Sequence, residues 1–327
     1  MTNKLERAAG LWPRALLKDW KVSEPQEGAD IAGELAAQLA LPQGVAEHLV
    51  DVYTPLAQRL AQRLPGLDKP PVLGINGAQG TGKSTAAEVL AKLLQRRGFR
   101  VCCLSIDDLY LTRSQREALA GAVHPLLRTR GVPGTHDLEL GLGLLAALKN
   151  AATDAQTAIP RFDKARDDRK PAQEWELWEG RPDLIVFEGW CVGARPEPAA
   201  SLEEPRNDLE SREDPDGRWR RYAHTQLEDY QALFGMLDYL VMLKAPSFDQ
   251  VYQWRSEQEE ALAARLAAQG VEAPNLMSAS DLKRFIQHYE RMTRWILQEM
   301  PARADLLLEL NAAHRVQRIS APTGERL

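Results

Sequence analysis

Eight consecutive residues, Gly77-Ala78-Gln79-Gly80-Thr81-Gly82-Lys83-Ser84, with Thr85 behind them, have the types and spacing of a phosphate cradle. Glycines let the main chain turn so that successive N–H groups face inward. A helix N-terminus behind the turn adds its positive dipole end to that concave anion site. In this pattern Lys83 reaches the β- and γ-phosphates of a nucleoside triphosphate, and the Ser84 hydroxyl ligates Mg²⁺. Carboxylates stand where such a site needs them. Asp107 and Asp108 follow the apolar run at 100–106, and an acceptor hydroxyl in line with a γ-phosphate needs a carboxylate such as Asp107 to orient it. Asp108 is read as a metal-linked neighbour; the alternative for either residue is a helix N-cap. Glu188 ends the run Leu184-Ile185-Val186-Phe187, four apolar residues followed by an acid. That is the pattern whose carboxylate holds Mg²⁺ or positions the γ-phosphate.

Cations complete the set. The loop 128–137 carries Arg128, Arg130 and His136 ahead of Asp137, a candidate N-cap, and such a loop could clasp an anionic acceptor or be a plain surface turn. The segment Pro160-Arg161-Phe162-Asp163-Lys164, with Arg166 and Arg169, reads equally as a substrate-facing or a solvated loop. Arg255, beside Trp254 in a helical pattern, is the candidate lid arginine that would stabilise transferring charge. Tyr289, Met292, Trp295 and Ile296 read as a core stripe, and the histidines show no ligand spacing.

The elements that must position these groups alternate. The apolar run at 72–75, the helical pattern at 84–97 closed by Gly98, and the run at 100–106 predict a βαβ unit. Further strands are expected at 184–187, 239–243 and 306–310, with helices at 137–149, 221–234, 248–269 and 280–300. The fold expected is a doubly wound, three-layer α/β/α P-loop domain over 69–327 with a mainly parallel sheet. Residues 1–68 are expected to be a helical extension, with Pro55 kinking or splitting its second helix. The stretch 195–221, dense in proline and in charges of both signs, is expected to be a long surface loop.

Composition bounds the rest. The 327 residues carry 41 Lys+Arg against 46 Asp+Glu, a net charge of −5 that argues against bulk binding to nucleic acid. No stretch has the apolar length of a transmembrane helix, and Lys4, Glu6, Arg7, Arg14, Lys18, Asp19 and Lys21 leave no apolar core for a leader. Three cysteines without zinc or disulfide spacing point to a reducing cytoplasm. Nothing in the pattern sets an oligomeric state.

Taken in order, residues 77–85, Ser105-Ile-Asp-Asp-Leu-Tyr-Leu-Thr112, Arg130-Gly-Val-Pro-Gly-Thr-His-Asp137, Pro160-Arg-Phe-Asp-Lys164, Phe187-Glu-Gly-Trp190 and Trp254-Arg255 with Gln258-Glu259 resemble the D-glycerate 3-kinase family. That family lies in the phosphoribulokinase, uridine kinase and pantothenate kinase branch of P-loop kinases, and the resemblance spans about residues 70–310. It implies phosphoryl transfer from ATP to D-glycerate with Mg²⁺, giving 3-phosphoglycerate and ADP. Asp107 matches the carboxylate that activates the acceptor hydroxyl. Arg130 and His136 become candidates for holding glycerate, with Tyr110 and Arg161 of the matching segments beside them. Leu109 stands where an aromatic is more usual. The 195–221 stretch and the N-terminal helices resemble uncharacterised bacterial kinase-like members more than plant-type enzymes. Two alternatives stand beside this reading. One is a kinase for another hydroxyl acceptor, such as pantothenate, a nucleoside or a sugar phosphate. The other is a regulatory P-loop ATPase, which the Ser-x-Asp-Asp segment and the lack of an Asn-Lys-x-Asp signature disfavour.

Overall fold

Leucine, isoleucine and valine with almost no polar residue between them can be strands only where both faces are covered. In a computed structural model, which describes residues 10–17, 25–268, 277–324 and 327, they are the inner strands of one sheet. Residues 1–9 and 18–24 of the expected N-terminal extension, including most of the charges read against a leader, lie outside the described residues, as does Gln269.

Two N-terminal helices, α1 (Pro25–Gln38) and α2 (Gln43–Arg63), precede β1 (Val72–Gly77), α3 (Lys83–Gln95) and β2 (Val101–Ser105). Next come α4 (Arg113–Ala122), α5 (Leu138–Asn150) and two short antiparallel pairs. These are β3 (Gln156–Ile159) with β6 (Glu176–Glu179), and β4 (Phe162–Asp163) with β5 (Asp168–Arg169). The core resumes with β7 (Leu184–Gly189), α6 (Asp208–Glu213), α7 (Arg218–Phe234), β8 (Tyr239–Lys244), α8 (Phe248–Ala268), α9 (Ala279–Glu299), β9 (Leu306–Leu310) and β10 (Val316–Ser320). The main sheet runs β10-β9-β8-β1-β7-β2, parallel throughout except for β10 against β9. All six residues of β1 and of β7 are buried. Register places Glu188 of β7 beside Ile75 of β1 and Ser105 of β2, so three strand ends reach the same level under the phosphate loop. In open α/β sheets this carboxyl edge is where ligands meet the strands.

The N-terminal helices share one hydrophobic cluster with the sheet, from Trp12 and Ile31 through Tyr53 and Leu60 to Val89 and Leu90 of α3. Pro55 does not split α2: the helix runs unbroken from Gln43 to Arg63 with Pro55 buried inside. β10 was not expected from the sequence. A register shift between Val316 and Arg318 leaves Val316 and Ile319 buried three positions apart, which erases the period-two pattern of a strand.

The stretch 195–221 departs from the expected solvated loop. It contains α6 and the start of α7, and its charges are paired inside the protein. Asp214 and Arg220 are both buried, with Arg220 Nη1 3.0 Å from Asp214 Oδ2 and further bonds to the carbonyls of Asp214 and Leu202. Asp214 also accepts the Trp219 N–H at 2.7 Å. Arg291 of α9 grips Glu210 through two bonds of 2.8 and 2.6 Å and reaches the carbonyls of Ser201 and Glu204. Charge density reads as solvation in one dimension, whereas these partners lie as far as 94 residues apart, as for Arg291 and Glu197. Removing one member of such a pair leaves the other charge buried and unmatched. Asp214→Ala should therefore cost about 3–5 kcal/mol in urea denaturation. The exposed Lys283–Asp208 pair, 3.6 Å apart, should lose less than about 1 kcal/mol on Lys283→Ala. Equal, small losses at both sites would return 195–221 to a solvated loop.

Candidate active site

The phosphate loop is shaped by backbone conformations that only glycine holds without strain. Gly80 and Gly82 have φ of 81° and 80°, and a Cβ on Gly80 would lie 2.8 Å from Trp254 Cβ. Trp254 is buried behind the loop. Its indole N–H donates to the Ala312 carbonyl at 2.8 Å, and its ring stacks on His314 with centroids 4.4 Å apart. His314 Nδ1 in turn lies 2.9 Å from the Gly80 carbonyl. The loop is thus clamped from behind by α8 and the β9–β10 turn, and its open side faces a cleft of ≈ 520 Å³. Gln79, Gly80, Gly82, Lys83, Ser84 and Thr85 line that cleft, while Gly77, Ala78 and Thr81 form the loop's inner wall, with the Thr81 hydroxyl donating to the Ala78 carbonyl at 2.8 Å.

Ser84 and Glu188, both expected at a metal, are brought together. The Ser84 hydroxyl donates to Glu188 Oε1 at 2.8 Å, and Glu188 Oε2 is buried without a partner. An unpartnered carboxylate oxygen beside a hydroxyl, under a phosphate loop, fits Mg²⁺, which takes one or two protein oxygens and keeps its other places for phosphate and water.

Across the cleft, Asp107 is the second residue of a 3-10 turn (Ile106–Leu109) capped by the Ser105 hydroxyl, which accepts the Asp107 N–H at 3.3 Å. Its Oδ1 accepts from the Tyr110 hydroxyl at 3.1 Å, and its Oδ2 accepts from Lys164 Nζ at 2.7 Å. Burial alone would raise the carboxyl's pKa. The charges of Lys164 and Lys83, with the Lys164 hydrogen bond, outweigh it and bring the pKa down to about 2. Asp107 is therefore ionised, with one hydrogen-bond donor on each of its oxygens.

The neighbouring acid is used differently. Asp108 Oδ1 accepts the Phe162 N–H at 2.9 Å and its Oδ2 faces Arg161 at 3.3 Å, while Arg161 also binds Glu176 at 2.7 Å. Burial raises the Asp108 pKa. Asp108 and Arg161, expected at the metal and at the acceptor, do not line the cleft; together they fasten the 160–164 segment to the end of β2. His136 also stands behind the site. It stacks under Tyr110 with centroids 4.3 Å apart, its Nδ1 lies 2.7 Å from the Tyr230 hydroxyl, and its Nε2 is buried without a partner. Burial pushes its pKa down to about 3, so it is neutral. Arg130 does line the cleft, with its guanidinium on Asp167 and over the Phe162 ring at 5.5 Å. Arg255 faces the cleft from α8, held to Glu259 at 2.8 Å.

Five cleft residues carry no site role in the sequence reading: Lys164, Trp190, Gln258, Phe285 and Tyr289. Tyr289, expected as core, donates its hydroxyl to the Arg130 carbonyl at 3.1 Å and packs edge-to-face on Trp190, 4.9 Å between centroids. Trp190 donates its indole N–H to the Gly131 carbonyl at 3.2 Å. An inward-facing tyrosine at helical spacing has no local mark separating a core wall from a cleft wall. Lys164 did have a signal, its place in the 160–164 segment, but nothing local says which of that segment's cations faces Asp107.

Comparison with known proteins fits this geometry. The profile of a family described as "Methylmalonyl Co-A mutase-associated GTPase MeaB" matches residues 46–113, the segment holding the phosphate loop and Asp107. The chain is 33% identical over 234 residues to "Uncharacterized kinase mug58" of Schizosaccharomyces pombe, covering 68% of this chain and 79% of that one. It is 32% identical over 206 residues to the chloroplastic D-glycerate 3-kinase of Arabidopsis thaliana, covering 60% of this chain but 43% of that one. Among solved structures, D-glycerate 3-kinase from Cryptococcus neoformans superposes with a TM-score of 0.65 at 23% identity, over 82% of this chain and 97% of that one, a likeness of fold.

The two buried histidines set a pH window for stability. Burial lowers His136 from 6.5 to about 3 and His288 from 6.5 to about 4. Below pH 6.5 the unfolded chain takes up these protons and the folded one does not. Their contribution is therefore full above pH 6.5 and is lost as pH falls toward the folded values, by up to about 1.4 kcal/mol per pH unit for each. Asp107 acts lower, between 3.8 and about 2. The urea-unfolding free energy should fall as pH drops from 6.5 to 4.5, and His136→Phe should flatten that slope by about half. An unchanged slope in the variant would mean that His136 is charged in the folded protein.

Proposed function

The chain belongs to the family of P-loop kinases that includes D-glycerate 3-kinase, and we propose that it transfers the γ-phosphoryl of ATP to a hydroxyl of a small acid. The acceptor that fits best is D-glycerate, giving 3-phosphoglycerate, ADP and a proton. The observation that carries this reading is the ionised Asp107 facing the phosphate loop across one cleft, with the charges of Lys83 and Lys164 acting on it.

In this mechanism the inward N–H groups of 77–85 bind the phosphates and Lys83 offsets charge on the transferring group. Ser84 and Glu188 would hold Mg²⁺, which would supply charge neutralisation on the phosphates. Asp107 accepts a hydrogen bond from the acceptor hydroxyl and turns its oxygen toward phosphorus. The transition state is loose, so aligning that oxygen matters more than strong basicity, and a carboxylate held near pKa 2 suffices. It takes the proton as the new P–O bond forms and releases it to solvent. Tyr110 fixes the carboxylate's rotation through Oδ1. Arg255 releases Glu259 to meet charge on the phosphates, and Trp190, Phe285 and Tyr289 keep water from competing with the acceptor. We assign this activity to 69–327, read 1–68 as an extension whose helices α1 and α2 brace α3, and place the protein in the cytoplasm on the strength of three free cysteines. No helix among the described residues is long and apolar enough to cross a membrane.

Incubation with ATP, Mg²⁺ and separate hydroxy acids, pantothenate, nucleosides and sugar phosphates should release ADP fastest with D-glycerate. Indifference to every acceptor would end the kinase reading; a preference for pantothenate or a nucleoside would end the glycerate assignment alone. Asp107→Asn should lower kcat by about 10²–10⁴-fold while ATP affinity stays within about threefold. Loss of both together would make Asp107 a structural residue.

A further inference from the structure

The cleft needs a cation to read an acceptor's carboxylate, and most of its candidates are already committed. Arg161 is outside the cleft, clamped between Asp108 and Glu176. His136 is buried and neutral beneath Tyr110. Arg130 is bound to Asp167 and stacked on Phe162. Arg255 is paired with Glu259 on the lid side, and Lys83 belongs to the phosphates. Lys164 differs from all of these. It extends from the β4–β5 turn into the cleft, its side chain is 63% exposed, and its ammonium sits on Asp107 Oδ2 at 2.7 Å.

That bond closes the position an acceptor must take. Asp107 Oδ1 is held by Tyr110, whereas Oδ2 has Lys164 as its hydrogen-bond donor among the described residues. A hydroxyl arriving at Oδ2 has to displace or share that ammonium. A neutral acceptor offers Lys164 nothing in exchange, so breaking the pair costs a charge-assisted hydrogen bond. An acceptor with a carboxylate beside its hydroxyl offers a new anion within reach of the same four-carbon stem. One ion pair is then exchanged for another. From this geometry we propose that Lys164 is the specificity-determining residue for the acceptor: it leaves Asp107 for the acceptor's carboxylate and thereby frees Oδ2 for the hydroxyl. The kinase admits hydroxy acids and rejects neutral polyols of the same shape because only the former can move this lysine. Asp108 serves as a positioning residue here, since its bonds to Phe162 and Arg161 hold the hairpin that presents Lys164.

This inference rests on the kinase reading above, and the experiment separates the two. Initial rates with ATP are compared for D-glycerate and for glyceramide, its neutral carboxamide isostere, in the wild type and in Lys164→Met. The wild type should favour glycerate strongly. In Lys164→Met the KM for glycerate should rise by about 10- to 100-fold, the scale of one hydrogen bond to a charged group. The rate with glyceramide should hold or rise, because Oδ2 is then open. The KM for ATP, read at saturating glycerate, should stay within about threefold of wild type, and an unchanged urea-unfolding midpoint reports folded enzyme. An unchanged glycerate-to-glyceramide ratio would overturn the assignment of Lys164 while leaving the kinase intact. So would an equal loss with both acceptors, which would make Lys164 a support for Asp107 only. A wild type that phosphorylates neither compound, or the neutral one better, would overturn it as well, and in the first case the glycerate reading with it.

Discussion

A carboxylate held under the field of two ammonium groups is the interaction on which the site turns. Asp107, Lys83 and Lys164 come from three separate elements: the end of β2, the first turn of α3, and the β4–β5 hairpin. Each of those elements must be fixed before the carboxylate's charge has any use. The sheet does the first part, because the parallel register of β2, β7 and β1 puts Ser105, Glu188 and Ile75 level beneath the phosphate loop. Trp254 and His314 do the second, clamping the loop from behind where a side chain at position 80 would collide. Asp108 does the third. Two adjacent acids therefore divide labour by direction, one toward the cleft and one toward the backbone of the hairpin.

Behind the cleft wall, the 195–221 stretch braces α9. Arg291 carries the ion pairs to Glu210 and Glu197, and two positions earlier on the same helix Tyr289 faces the cleft. The cost of burying those charges is met by geometry, since Arg220 and Arg291 each find carboxylate and carbonyl partners together. His136 adds a quieter support: uncharged, stacked on Tyr110 and bonded to Tyr230, it sets the ring whose hydroxyl orients Asp107.

What the sequence made legible was local or ordered along the chain. The phosphate loop, the buried strands near 72, 101, 184, 239 and 306, and the acids at their ends all follow from patterns within ten residues, and the fold follows from their alternation. What it hid was pairing at a distance. Arg161 and Lys164 stand three positions apart in one charged segment, yet one turns to Asp108 and the other to Asp107. No periodicity could separate them. For the same reason 195–221 reads as solvated, because Arg291 supplies its partner from 81 residues beyond Glu210. β10 was hidden by a bulge, and Tyr289 by the sameness of core and cleft positions on an amphipathic helix.

We propose that Asp107 serves an acceptor hydroxyl opposite the phosphate loop. A crystal structure of the protein with Mg²⁺, a non-hydrolysable ATP analogue and D-glycerate tests it directly. A glycerate hydroxyl should then lie within about 3 Å of Asp107 Oδ2, in line with the γ-phosphorus, with Lys164 turned onto the glycerate carboxylate. Glycerate bound elsewhere, or Asp107 still closed by Lys164 with the hydroxyl pointing away from the γ-phosphate, would contradict it.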